Sequence, residues 1–533
     1  MQKSHGFTDY FIDGEGFVSA SLETGEVSPE TSSENEATGA NLHHADHQPK
    51  LRFGRMFDNL DPHKADDDKL VTLGQAMLNG PDLGDHTGLP AGYTYLAQFI
   101  AHDVSFDENN NIPAADVAAD GLIQLRTPSL DLDSLYGEGP YSDADRRLYD
   151  EYDSAKLKIG KTTAASPGSI DREYWNDLRR EEGSPRAIIK DHRNDDNLAL
   201  AQTHVAFIKF HNKVVDLLRD KNLSGRELFE EAQKKVVEHY QWIILDDLLP
   251  KIVDVEILQR AIANRANPEH FRPAEKGVPF MPVEFSLAAF RLGHSMVRDT
   301  YDWNRVFQSP DQLETHAATL ADIVRLTGFR GNLAGSLKLP SSWIIDWTRF
   351  YDFTGHNGIA NNPNFNWSKK IDTTLVRALK DFEIFFRHIN EERFRSLAVI
   401  DLIRGRRLKL PSGQEVARAL KVPPMSAIQL TQYPHGDVVS KTGFDKETPL
   451  WYYILKEAQV YRRGERLGPV GSYILAETFV QLIRASRISI LKDENFTKDG
   501  YFTWRPDLGQ IEPDRFAMAD LLVFAQVVNP LGA

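Results

Sequence analysis

Residues 98–103 read Gln98-Phe99-Ile100-Ala101-His102-Asp103, so a histidine that can move protons stands directly beside a carboxylate that can hold a metal. Further along comes Thr127-Pro128-Ser129-Leu130-Asp131-Leu132-Asp133, with oxygen-bearing side chains at every second position. In an extended segment alternate side chains share a face. These groups are therefore expected to gather around one hard cation, a calcium site lying beside a reactive histidine.

The chain has 533 residues, of which 41% are hydrophobic, enough for a substantial core in one large body or a few domains. No apolar run is long enough for a membrane helix. The first residues, Met1-Gln2-Lys3-Ser4-His5-Gly6-Phe7, show no apolar core of a signal peptide, which predicts a cytoplasmic protein or one exported without a conventional leader. A net charge of −15 argues against a nucleic-acid partner, because that binding is driven by clustered cations. With no cysteine, disulfides, thiolate metal sites and thioether haem attachment are excluded.

Residues 1–50 are polar, as in Glu26-Val27-Ser28-Pro29-Glu30-Thr31-Ser32-Ser33, and predict a mostly disordered leader. His43, His44 and His47 within it read as solvated side chains rather than a metal site. From Leu51 to Ala533 the pattern is mainly α, a single large helical domain with long loops and little β. Leu198 to Arg219 has helical spacing at Leu198, Ala201, Val205, Ile208 and Val215. A second helix is expected from Glu227 to about Leu249, ending at Pro250. Pro282 is suited to open a third, which would carry Arg291 and His294 on a second buried stripe opposite its ordinary core face.

These segments together resemble the animal-type haem peroxidase family of the peroxidase–cyclooxygenase superfamily, in its bacterial flavour. The residues that carry the resemblance are Gln98 to Asp103, Ser129 to Gly137, Arg193 with the helix containing His211-Asn212, and Gln241 to Leu245. Phe290-Arg291-Leu292-Gly293-His294, Arg404-Gly405-Arg406 and Leu467 to Gly471 complete the series, which follows the family's order over most of the chain after residue 50. The resemblance implies haem b held between a distal and a proximal helix. It makes His102 the distal histidine, Arg193 the distal arginine and His294 the proximal iron ligand. Arg291 and Arg404 fall at positions that pair with haem propionates. It also implies calcium, with Asp103, Thr127, Ser129 through its carbonyl, Asp131 and Asp133 as ligands.

The implied reaction is reduction of hydrogen peroxide through a ferryl intermediate, followed by oxidation of a small donor such as a phenol or a halide. His102 would move the proton between the two peroxide oxygens and Arg193 would stabilise the departing one. Gln98, four residues before His102, would hold a water or a halide. Asp401 stands where the family commonly has asparagine, and would make His294 more basic unless it pairs instead with Arg404 or Arg406. Ala101 replaces an ester-forming aspartate and Asp196 a glutamate one methylene longer, which predicts mostly non-covalent haem with at most a partial link through Asp196. Asn197 stands where some members have a haem-bonded methionine.

Two alternatives remain open at this level. A fatty-acid dioxygenase of the same superfamily would need a radical tyrosine three residues before His294, where this chain has Arg291. A catalytically silent, calcium-stabilised scaffold or adhesion protein would be free to lose His102, Arg193 and His294, yet all three are present. The sequence leaves the oligomeric state and the electron donor open.

Overall fold

A computed structural model describes residues 52–532, apart from 107–115, 120–121, 123, 165–169, 274–279, 310–315, 361, 363–364, 382–391 and 510–513. The polar segment 1–50 with its three histidines lies outside the described residues. Seven helices of ten residues or more carry the described architecture. They are α1 (Asp67–Ala76), α2 (Gly92–Val104), α3 (Leu198–Arg219), α4 (Gly225–Trp242), α5 (Leu397–Arg407), α6 (Leu450–Arg462) and α7 (Pro469–Ala485). The described strands pair only two at a time, in three separate ladders. No described helix is long and apolar enough to cross a membrane.

Helix α2 is buried along almost its whole length, as its apolar composition demands. It starts at Gly92, where an added Cβ would meet the Tyr351 ring at 2.3 Å and the Phe350 carbonyl oxygen at 2.6 Å, so only glycine lets the chains approach this closely. Phe99 of α2 stacks on Phe207 of α3 with ring centroids 4.6 Å apart, and Tyr240 of α4 meets Phe207 edge-on at 5.8 Å. This aromatic triad locks the three helices and fixes where the last turn of α2, carrying His102 and Asp103, emerges.

Helix α3 spans the range that its periodicity predicts, capped by the Asn197 side chain accepting from the Leu200 N–H at 2.9 Å. The second helix differs from expectation. Helix α4 passes at Ile243–Leu248 into a π-helical turn, and a short α-helix, Leu249–Ile252, contains Pro250 in its first turn. A first-turn proline needs no intrahelical N–H, so the chain continues past the residue expected to stop it.

The Pro282 segment is not one helix. Phe280–Pro282 is a strand paired in parallel with Arg52–Gly54, followed by an α-turn at Val283–Ser286, a 3-10 turn at Ala289–Leu292 and a final α-turn at Gly293–Met296. Side chains outbid the backbone here. Glu284 accepts from the Met56 N–H at 2.9 Å, and Arg291 Nε donates to the Ser286 carbonyl at 3.1 Å, while Ala288 leaves helical geometry at φ −135°. The two-stripe reading fails with the continuous helix, although the segment is almost entirely buried. Removing the central ring of the triad, Phe207→Ala, is expected to cost about 3–5 kcal/mol, with a smaller loss for Phe207→Leu, as measured by denaturant unfolding.

Candidate active site

Helix α2 presents Thr94, Gln98 and Ala101, at helical spacing, to a cavity with about 610 Å³ of non-atom space counted out to its open mouth. Phe290, Gly293 and His294 form the facing wall, and Asn197, Leu320 and Val324 close its sides. Gln98 and His294, expected on opposite sides of one ligand, therefore line the same cavity. Gln98 Oε1 accepts from Asn197 Nδ2 at 2.9 Å, which turns its amide nitrogen outward as a donor.

On the His294 wall, Nδ1 lies 2.8 Å from Asp401 Oδ2. The other carboxylate oxygen is ion-paired with Arg291 Nη1. Asp401 thus pairs with Arg291. Arg406 instead reaches Asp116 at 2.7 Å and the Ala65 carbonyl at 3.1 Å. Because Nδ1 donates to a carboxylate, Nε2 carries the lone pair of neutral His294, the state a metal ligand requires. Arg291 Nη2 is buried with no hydrogen-bond partner among the described residues, and Arg404, one helical turn beyond Asp401, is also fully buried.

His102 and Arg193 are both fully buried and are not among the residues lining the cavity. His102 Nδ1 lies 3.0 Å from Asn194 Oδ1. The Arg193 guanidinium donates to Asp191, to the His102 carbonyl at 2.9 Å and to the Ser105 carbonyl at 2.9 Å. It thereby anchors the C-terminal carbonyls of α2, a favourable place for a cation. Arg126 donates to the same Asp191 at 2.8 and 2.6 Å. Burial alone would raise the Asp191 carboxyl, but the two guanidinium groups outweigh it and hold the group well below the usual carboxylate range. Asp196 is ion-paired with Arg330 Nε in the interior.

The expected cation ligands do come together, by a different geometry. Carboxylate oxygens of Asp103, Asp131 and Asp133 lie within 4.8 Å of one another. The chain between them is a series of bends rather than an extended segment, with Leu132 in the left-handed region (φ 60°) and a helical turn from Asp133. Thr127 Oγ1 and Ser129 Oγ donate to Asp131 at 2.9 and 2.8 Å. Asp103 accepts from Ser134 Oγ at 2.9 Å and Tyr240 Oη at 3.2 Å. Burial, then mutual repulsion, pushes Asp103 well above the usual carboxylate range. Burial also lifts Asp133 to about 7, against the pull of Arg126. Asp133 Oδ1 is buried with no hydrogen-bond partner among the described residues.

Sequence reasoning missed Asp191, Arg126, Asn194 and Arg330. Asp191 stands two residues before Arg193, a spacing that could have suggested the contact, whereas Arg126 and Arg330 carry no local signal.

The sequence model of the family described as animal haem peroxidase matches residues 104–505. Among curated proteins, heme peroxidase 2 of Caenorhabditis elegans is 24% identical over 58% of this chain and 41% of its own length. Thyroid peroxidase of Canis lupus familiaris is 32% identical over 22% of this chain and 12% of its own length. The chain thus spans less than half the length of these relatives. Peroxidase A of Dictyostelium discoideum shares the fold with a TM-score of 0.60 at 14% identity, covering 91% of this chain and 94% of that one. The fatty acid alpha-dioxygenase of Arabidopsis thaliana follows it at 0.55 and 17% identity, covering 90% and 76%. Sequence match and helical architecture lead to one assignment: the chain belongs to the animal haem peroxidase family.

Proposed function

We propose that this chain is a haem-dependent peroxidase that reduces hydrogen peroxide and oxidises a small donor. The observation that carries the reading is the Asp401–His294 pair on the wall of a cavity that Gln98 faces. The donor set fits haem b: an imidazole with Nδ1 engaged, no competing thiolate, and a buried Arg291 Nη2 without a partner among the described residues, suited to a propionate. Bound haem would supply an iron centre able to take up peroxide and exchange electrons.

The chain's own groups divide the remaining work. His294 would hold the iron through Nε2, and Asp401 would keep that tautomer in place. Arg291 shares Asp401, so only part of the carboxylate's charge is felt by the imidazole. His102 would take the proton from the inner peroxide oxygen and return it to the outer one. Arg193, committed to Asp191 and the α2 carbonyls, would hold His102 in place as much as it stabilises charge. The Gln98 amide would donate to a water or anion in the cavity. Ala101 offers no ester and Asp196 is engaged by Arg330, which favours wholly non-covalent haem. The oxygenase alternative is disfavoured because Arg291, where that reading needs a tyrosine, is bound to Asp401.

We further propose calcium at Asp103, Asp131 and Asp133 with Thr127 and Ser129. One buried and two half-buried carboxylates, with one oxygen that has no hydrogen-bond partner among the described residues, are costly unless protonated or bound to a cation.

His294→Ala is expected to abolish the Soret band of the haem-loaded protein, and His102→Ala to keep it while slowing the peroxide reaction about 10²–10⁴-fold in stopped flow. Wild-type speed in His102→Ala would remove that residue from its role. Acid extraction should release the haem unmodified. The cation site has a pH signature. A carboxyl raised from about 4 in the unfolded chain to about 7 in the folded one contributes stability that is present below the first value and lost as pH rises through the second. Without divalent cations the melting temperature should fall between about pH 5 and 8, and calcium should remove that fall. An identical decline with calcium and with chelator would sink the site.

A further inference from the structure

Tyr95, one residue beyond Thr94 on α2, lines the cavity and begins a file of buried aromatic rings that leads away from it. Its hydroxyl donates to the Tyr301 hydroxyl at 2.8 Å, with the ring centroids 5.9 Å apart. Tyr301 stacks on Phe350 at 5.8 Å, Phe350 meets Trp347 edge-on at 6.1 Å, and Trp347 lies 5.7 Å from Tyr351. Tyr351 in turn meets Tyr93 edge-on at 5.0 Å. The file thus starts on the cavity face of α2 and returns to the same helix two residues earlier, beside the π-helical turn Ile243–Leu248. There Tyr93 Oη donates to Asp247 Oδ1 at 2.7 Å. Asp247 is ion-paired with Lys251, whose ammonium lies 4.9 Å over the Tyr93 ring.

We propose that this file carries one oxidising equivalent out of the cavity and that Tyr93 is where it rests, as a neutral tyrosyl radical formed with Asp247 as proton acceptor. This rests on the peroxidase reading above, with hydrogen peroxide and bound haem supplying the oxidant. One electron leaves the Tyr93 ring for the oxidised site in the cavity, and the phenol proton crosses to Asp247 Oδ1. A tyrosyl oxygen and a protonated carboxyl remain. An electron from a donor outside the cavity, with the proton returned by Asp247, restores both groups. A phenol that has lost an electron is a strong acid, so the radical settles where a base waits for its proton. Tyr95 donates to a neutral hydroxyl that already accepts from the Arg298 N–H at 3.0 Å, and so passes the oxidation on. Trp303, joined to the file through Phe350, gives its indole N–H to the Trp343 carbonyl, an oxygen too weakly basic to keep a proton. Burial, then Asp247, raises the Tyr93 phenol well above its ordinary value, so the proton stays until the electron goes. The Lys251 ammonium stabilises the electrons of the ring and disfavours positive charge there, which ties electron loss to proton loss.

The test uses the full-length, haem-loaded protein, mixed with an equimolar amount of hydrogen peroxide without donor and frozen for electron paramagnetic resonance. Wild type should show a tyrosyl signal that narrows when its tyrosines are ring-deuterated. Tyr93→Phe should lose most of that signal while keeping the resting Soret band. Asp247→Asn, which still accepts a hydrogen bond but cannot hold the proton, should lose it too. A ring-fluorinated tyrosine in place of Tyr93 leaves the packing almost unchanged, and should add a fluorine splitting to the signal. Reduced cytochrome c, a one-electron donor too large for the cavity, should remove the signal. An undiminished signal in Tyr93→Phe, a fluorinated residue without splitting, or a signal indifferent to reduced cytochrome c would overturn the proposal. Protein that has a Soret band and reacts with peroxide, yet gives no tyrosyl signal, overturns this proposal alone. Protein that takes up no haem overturns the peroxidase reading and the relay with it.

Discussion

Asp191 holds this site together. A carboxylate with no access to water must find its cations inside the protein, and Asp191 finds two, Arg126 and Arg193. Each serves a second group. Arg193 grips the carbonyl oxygens at the end of α2, and Arg126 lies 3.8 Å from Asp133 of the acidic cluster. One buried anion thus joins the cluster to the helix end that bears His102. Asp103 makes the same join by a shorter route, being covalently next to His102 and hydrogen-bonded to Ser134 beyond the cluster. With two independent ties, the position of the histidine is over-determined.

The His294 wall follows the same logic with different parts. Asp401 is shared by an imidazole and a guanidinium. Sharing reconciles two demands: the carboxylate must orient His294, and its own charge must not sit uncompensated in the core. An asparagine would meet the first demand without the second, and Arg291 would then lose its partner. Aspartate at 401 and arginine at 291 are thus one unit physically, although 110 residues separate them.

Much of this was legible in the sequence because it is local. Helix α3 declares itself through its spacing and its Asn197 cap, and the residues 98–103 already place His102 beside Asp103. The acidic cluster was legible in composition but not in geometry, since alternation suggested an extended segment and the chain uses bends with a left-handed Leu132. The Pro282 segment was misread because periodicity counts only apolar faces. It is blind to Arg291 taking the Ser286 carbonyl within the segment and to Glu284 tying the segment to the Met56 backbone. Partner choice among buried ions was not legible at all. Nothing near Asp196 announces Arg330, and nothing near Asp401 decides between Arg291, Arg404 and Arg406.

The two histidines differ in what holds them, and the difference suits their expected tasks. His294 leans on a full carboxylate, which favours a strongly donating nitrogen, as a permanent metal ligand should have. His102 Nδ1 meets the neutral Asn194 amide at 3.0 Å, and the Asp191 carboxylate acts on the ring electrostatically while being shared with two guanidinium groups. A group that must accept a proton and then release it gains nothing from a partner that retains it, because transfer is fastest when both states are close in energy.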